Sequence, residues 1–492
     1  MSTAVRAVMN RPVHPWLMHT TIAYVPGPGT PLLERTVREL LEAFRRHGHG
    51  TRSEPDDRTD ILLTTARYGE ALYWRQALLF LARRRFKLQR MPTLFTLMHI
   101  TPAQIREALA HFEYALAKDP PDPSDFSFAG MAPQAYQVLL EQGRRGGPLM
   151  ALLRLVQAQA KCIRILLLVG DERPECLYHL DLAGGHARTD AMEPEAFYED
   201  AMLRMVTAVS THEVTEHQAV GDPVSSDLWR RLDTPRAMCL AGQRLGERGF
   251  FTEMVRVADL VQVPAVADAV ASQYSEGCFA TWDPTLGALV TTVTGSARPV
   301  DKGSLSDSDL AVIVGVRHDG RGALVRQIEG HANHAPSSEA VEMMSVDGAL
   351  PRIALAAWGF PGQGPVARSK LHGHRAIMAY DPRRVEYVPL DAPYYYYPVS
   401  CATEAQAQGI QRAFARSEAL RNPEDPRQVV FTILPTHGAV MVEKWVMGKA
   451  PFQVLWEYMD GAYLVVGNDI PQGPMRYVPG DDGRLVLRHE AQ

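Results

Sequence analysis

Two carboxylates and a late histidine stand out as residues able to do chemistry together. Glu276 follows an apolar, helix-like run (Val263 to Val270) and directly precedes Gly277, where a side chain often faces a cleft. Asp301 lies 25 positions on, after Gly295-Ser296-Ala297-Arg298-Pro299-Val300. In an α/β layer that spacing brings two consecutive connections to one sheet edge. His437 follows an apolar run and sits in a turn between Pro435 and Gly438. Two hard oxygen ligands and one imidazole suit Mn²⁺ or a similar divalent ion. Rival imidazoles are His372 and His374, in His372-Gly373-His374, and His331 and His334. Glu339 and Glu342 share a helix face three residues apart. They read either as a second carboxylate pair or as a solvated flank.

Other chemistries are demoted by what is missing. The chain has no G-x-x-x-x-G-K-[ST], no G-x-G-x-x-G after its first strand and no G-x-S-x-G. His212-Glu213-Val214-Thr215-Glu216-His217 resembles a zinc helix, but its histidines are five apart. A step of five residues turns an α-helix by about 500°, so the two rings leave a common face. A polar surface turn is the better reading there.

The elements that must position these residues alternate along the first half. Thr20 to Val25, Ile61 to Thr65 and Thr93 to His99 read as buried strands. Helices are predicted over Pro31 to His47 and Ala71 to Phe86, and Thr101-Pro102 opens another. Lys118 to Ser127, rich in Pro, Asp and Ser, reads as a linker. Strands at Ile163–Val169 and Cys176–Leu182 follow, then helices at 195–210, 236–248 and Leu286 to Thr292. From about Arg352 short strands and frequent turn signals suggest an antiparallel sheet or small barrel. Tyr394 to Tyr397, if extended, alternates buried and exposed rings and suits an interface or a sugar cleft. The expected fold class is α/β. An N-terminal α/β domain (1–145) and a middle α/β domain (146–345) precede a β-rich C-terminal domain (346–492).

Composition narrows the partners. The 492 residues carry 51 Lys+Arg against 56 Asp+Glu, a net charge of −5, which argues against a dedicated nucleic-acid binder. The basic run Arg83-Arg84-Arg85 has no aromatic interleaving beyond Phe86. No apolar run approaches the roughly 20 residues of a membrane helix, and the N-terminus lacks a signal-peptide core. Five cysteines with no C-x-x-C pair read as reduced thiols. The expectation is a cytoplasmic protein without nucleic-acid or membrane partners.

The order of these features resembles the L-fucose/L-arabinose isomerase superfamily. Glu276 in SEGCFATWDPTLGAL is similar to that family's glutamate before a "GAL" helix. Asp301 in GSARPVDK is similar to its following aspartate, Gly364-Pro365-Val366 with Arg368 to its "GPV" barrel entry, and His437 to its late histidine. The resemblance implies two Rossmann-like domains and a small barrel. It implies a divalent metal, Mn²⁺ first, held by Glu276, Asp301 and His437. It also implies aldose–ketose interconversion through an enediol, with Glu276 and Asp301 moving the proton. Trp282 or Trp358 would stack on a sugar-like substrate, and Arg298 and Lys302 would meet a charged substituent. A homo-oligomer is expected. The alternatives are another metal-dependent lyase, epimerase or hydrolase on a polyol or sugar acid, or a non-catalytic ligand-binding relative.

Overall fold

The computed structural model describes residues 11–14, 17–56, 58–67, 92–104, 163–180, 186–211, 216–248, 250, 277–294, 302–320, 322–399, 402–467, 471 and 475–489. The predicted helix at Ala71 to Phe86, the basic run at 83–85, the linker at Lys118 to Ser127, and Glu276, Arg298 and Asp301 lie outside the described residues. The chain divides into two compact units. Unit 1 comprises Met1–Thr211, Met254–Gln273 and Tyr396–Pro398; unit 2 comprises His212–Glu253, Tyr274–Tyr395 and Val399–Gln492.

Unit 1 is built on β1 (Thr21–Val25), β2 (Gly50–Arg52), β3 (Ile61–Arg67), β4 (Thr93–Ile100), β5 (Ile163–Gly170), β6 (Pro174–Leu180) and β7 (His186–Asp190). They form one sheet in the order β2-β1-β3-β4-β5-β6-β7. The first five are mutually parallel, and β6 and β7 are antiparallel additions. α1 (Pro31–Arg46) starts where expected because the Thr30 hydroxyl accepts the Leu33 N–H and Pro31 fills the first turn. Its buried stripe, Leu33, Val37, Leu40 and Phe44, follows the 3.6-residue period. That stripe shares a core with Met202, Met205 and Val206 of α2 (Pro194–Ser210). Each such fully buried side chain stabilises by roughly 1.5–3 kcal/mol. Asp200 of α2 is fully buried and is paired with Arg204 and Arg11 at 2.8 Å each, with the Thr189 hydroxyl donating at 2.8 Å. Burial opposes its charge, but the two guanidiniums hold the carboxyl below its usual range.

Unit 2 carries β8 (Gln218–Ala219), α3 (Ser226–Arg231), α4 (Thr234–Glu247), β9 (Cys278–Asp283), β10 (Ala288–Thr292), β11 (Leu310–Val316), β12 (Ala323–Arg326) and α5 (Ala340–Ala349). It continues with β13 (Arg352–Ala354), β14 (Gln363–Pro365), β15 (Ala367–Gly373), β16 (Ile377–Tyr380), β17 (Val385–Tyr387), α6 (Glu404–Ala415), β18 (Val429–Leu434), β19 (Gly438–Lys444) and α7 (Gln453–Asp460). The last strands are β20 (Leu464–Val466), β21 (Met475–Pro479) and β22 (Leu485–His489). The main sheet runs β17-β18-β19-β15-β9-β10-β11-β12-β8 and is antiparallel from β18 to β12. A four-stranded sheet, β20-β16-β22-β21, and the pair β13-β14 complete the unit.

The expected layout therefore changes in unit 2. Strands from both sides of residue 345 share one sheet, because β9 pairs with β15, and residue 345 itself lies inside α5. A predominantly antiparallel sheet stands where the sequence suggested a second Rossmann-like layer. The predicted helix at Leu286 to Thr292 is β10. The Asp283 carboxylate accepts the N–H groups of Thr285 and Leu286, and Gly287 takes a φ of +59°, so the chain reverses into a hairpin. The β-branched run Val290-Thr291-Thr292 then prefers the pleat. The tyrosine run also differs: Pro393–Tyr396 is a helical turn, and Tyr394 and Tyr397 are both buried.

Unit 2 contains a buried carboxyl outside any cluster. Glu443 on β19 accepts the Phe452 N–H at 2.5 Å and the Leu455 N–H at 3.1 Å, tying the strand to the start of α7. Burial, opposed in part by the Ser369 hydroxyl and these N–H groups, pushes its pKa up to about 7 from 4.5. The folded state then binds the proton more tightly than the unfolded chain. Its contribution is complete below pH 4.5 and is lost as pH rises through about 7. Urea unfolding from pH 4.5 to 8 is expected to show wild type losing about 3 kcal/mol relative to Glu443→Gln across that window. Parallel curves for the two proteins would refute it.

No helix among the described residues is long and apolar enough to cross a membrane. Cys176, Cys239 and Cys278 carry free thiols.

Candidate metal centre

Three adjacent strands of unit 2 meet at one end with four buried side chains. β15 carries His372, and His374 follows it two residues later on the same face. His372 lies opposite Cys278 of β9 on one side and Val440 of β19 on the other, so it projects from the middle of the sheet. His437 is the last residue of the β18–β19 turn. Gly438, next to it, has a φ of +149°, and a Cβ there would lie 2.0 Å from the Gly373 carbonyl oxygen and 2.6 Å from His374 Cα. That close approach sets His437 beside His374, with ring centroids 4.5 Å apart.

The fourth residue comes from the helix side. Ser337 N–H donates to the Thr292 carbonyl at 2.9 Å and Thr294 N–H to the Ala335 carbonyl at 2.8 Å, pinning the chain to the end of β10. Glu339 then occupies the N-cap position of α5, and its carboxylate makes no capping hydrogen bond but lies over the imidazoles. Its Oε1 lies 3.4 Å from His372 Nε2, 3.6 Å from His437 Nε2 and 3.9 Å from His374 Nε2. One donor atom from each of the four residues lies within 4.8 Å of all the others, and all four residues are buried.

These separations fit a cation better than direct hydrogen bonding. A protein N–H···O bond spans about 2.7–3.2 Å. Corners of a tetrahedron with metal–ligand distances of about 2.0–2.2 Å lie roughly 3.4 Å apart. Nε2 of His372 and both ring nitrogens of His437 are buried without a hydrogen bond of ordinary geometry. His372 Nδ1 lies 3.1 Å from the Ala439 carbonyl, which fixes the tautomer by accepting its proton and leaves the Nε2 lone pair free to coordinate. Burial and then the neighbouring His374 push His437 down to about 3, so it stays the neutral imidazole a metal requires. Burial opposes ionisation of Glu339, but His372 and then His374 and His437 hold its carboxyl well below the usual range. Glu342, one turn along α5, goes the other way: burial and then the adjacent Glu339 charge push its carboxyl well above the usual range. The site thus offers three imidazoles and a carboxylate, with a carboxylic acid alongside. A nitrogen-rich set of this kind could hold a first-row transition-metal dication.

Of the residues expected from sequence, His437 is in the cluster, joined by both members of the rival pair His372 and His374. Glu276 and Asp301 lie outside the described residues. Lys302 is buried in a short turn and its ammonium donates to the Gly277 carbonyl. Trp282 sits on β9 with the Arg352 guanidinium 5.3 Å from its ring centre. Trp358 packs against Trp445 at 5.7 Å. His331 packs edge-on to Trp229 instead. Glu339 is the residue that sequence reading missed as a ligand; Ser337-Ser338 before an apolar-acidic stretch marks a helix start, and burial of the whole α5 face was the absent information.

No protein-family model, no curated protein and no solved structure matches the chain.

Proposed function

We propose that unit 2 is a metal-dependent enzyme acting beside the carbonyl of a hydroxylated, sugar-like substrate. The carrying observation is the convergence of Glu339 with His372, His374 and His437. When bound, a Zn²⁺-type ion supplies Lewis-acid polarisation of a carbonyl or hydroxyl oxygen. The three imidazoles would hold that ion, and His372 is already oriented by Ala439. Glu339, whose carboxyl its neighbours favour as the anion, can act as ligand or as base; Glu342, whose carboxyl burial favours as the acid, can return a proton. Two carboxyls with opposed protonation assign acid and base roles by environment alone.

Such a set serves chemistry through an enediolate. The aldose–ketose interconversion implied by the isomerase resemblance is one outcome: Glu339 removes the proton from the carbon beside the carbonyl and returns it to the former carbonyl carbon, while the hydroxyl proton passes from one oxygen to the other. Carbon–carbon cleavage is the second. In that case the proton of the hydroxyl on the carbon β to the carbonyl goes to the base, the bond between the α and β carbons breaks so that the β carbon leaves as an aldehyde, and the enediolate fragment takes a proton at its α carbon from the acid. Glu342, on the same helix as Glu339, is the buried carboxyl placed to serve as that acid. A panel of aldoses, ketoses and sugar acids, incubated with Zn²⁺-loaded protein in D₂O, tests the reading. The expected result is deuterium next to the carbonyl, with ketose signals for isomerisation or smaller fragments for cleavage. Absence of both exchange and bound metal would sink the proposal.

A further inference from the structure

β15 carries another charged side chain on the face that bears the histidines. Lys370, His372 and His374 are alternate residues and project to one side of the sheet. Lys370 is fully buried, and its ammonium lies 2.7 Å from Asp347 Oδ1. Asp347 belongs to α5, the helix whose N-cap residue is Glu339. Eight residues turn a helix by about 800°, which leaves Asp347 roughly 80° from the Glu339 direction. One helix therefore reaches the same strand at two places: Glu339 over His372, and Asp347 over Lys370.

A buried ammonium near a dication site needs a counter-charge, and a buried ion pair that loses one partner leaves the other uncompensated. We propose that Asp347 is a positioning residue of the metal centre. Its pairing with Lys370 docks the C-terminal half of α5 on β15, which sets the reach of Glu339 toward the imidazoles. It also cancels the positive charge that Lys370 brings to that face. The inference rests on the reading that Glu339 and the three histidines bind a metal ion. Asp347 is itself buried, but it borders open space. It lines a cavity of about 380 Å³ together with Trp282, Ser345, Arg352 and Gln408. Truncating its side chain joins the vacated space to that cavity, where a small carboxylate can take its place.

The experiment titrates Zn²⁺ against a chromophoric chelator in full-length wild type, Asp347→Asn and Asp347→Ala, with and without acetate. Outer-shell partners typically govern about 10–100-fold in metal affinity. Both variants are expected to bind Zn²⁺ at least about tenfold more weakly than wild type, within that range. Acetate, but not chloride, is expected to recover most of the loss in Asp347→Ala and to leave wild type unchanged. Asp347→Asn keeps the side-chain shape and carries the test if the alanine variant does not fold. Wild-type affinity in Asp347→Asn, or no acetate response in a folded Asp347→Ala, overturns the role of Asp347. Failure of wild type itself to bind Zn²⁺ overturns the metal reading instead.

Discussion

Replacing His437 by alanine is expected to lower Zn²⁺ affinity by at least about a hundredfold, the upper end of what an outer-shell residue governs. His437 brings a neutral, buried imidazole whose nitrogens have no ordinary hydrogen bond, and its pKa of about 3 means that no proton competes with the metal at neutral pH. His372→Ala is expected to behave alike, because it removes a ring whose tautomer is fixed by a backbone carbonyl. His334→Ala, outside the cluster, is expected to stay within about twofold, since remote substitutions leave ligand geometry intact. The loss also shows in stability. Metal at 100 times its dissociation constant stabilises a folded protein by about 2.7 kcal/mol. Adding Zn²⁺ should therefore raise the melting temperature of wild type and His334→Ala but not of His437→Ala or His372→Ala. Equal Zn²⁺-induced shifts in all four proteins would remove His437 and His372 from the site.

The histidines of this centre are legible in the sequence one at a time, but their union is not. His372-Gly373-His374 shows only that two rings share a face of any strand that contains them. Which strands flank it depends on β9, some ninety residues earlier, inserting beside β15, and on β19 returning on the other side. No local period carries that order. The same gap explains Glu339. Acidic residues at a helix start usually face water, and only the seating of α5 on the sheet buries Glu339 and Glu342. By contrast α1 and β3 were readable, because a capping threonine, a first-turn proline and a continuous apolar run act over a few residues. β10 was misread because a short apolar stretch fits a helix or a buried strand equally, and the Asp283 turn decided it.

Gly438→Ala is expected to damage both fold and metal binding, although it adds a single methyl group. The added Cβ would fall 2.0 Å from the Gly373 carbonyl oxygen, a backbone atom held by the β15–β19 ladder, so no side-chain rotation relieves it. The φ of +149° adds backbone strain for any residue with a Cβ. Relief requires the start of β19 to move away from the end of β15, and those two chain ends carry His437 and His374. A displacement on the order of 1 Å is large against the tolerance of about 0.2 Å in metal–ligand distances. Stability is expected to fall by about 2–4 kcal/mol, in the range of severe single substitutions, and Zn²⁺ affinity by at least about tenfold, as for a disturbed supporting shell. Gly448→Ala separates the two causes: its φ is +72° but its Cβ would meet nothing within 4 Å. It should cost about 1 kcal/mol through backbone strain alone and leave metal affinity unchanged. If Gly438→Ala behaves like Gly448→Ala in urea unfolding and Zn²⁺ titration, the close approach of the strands is not what brings His437 to His374.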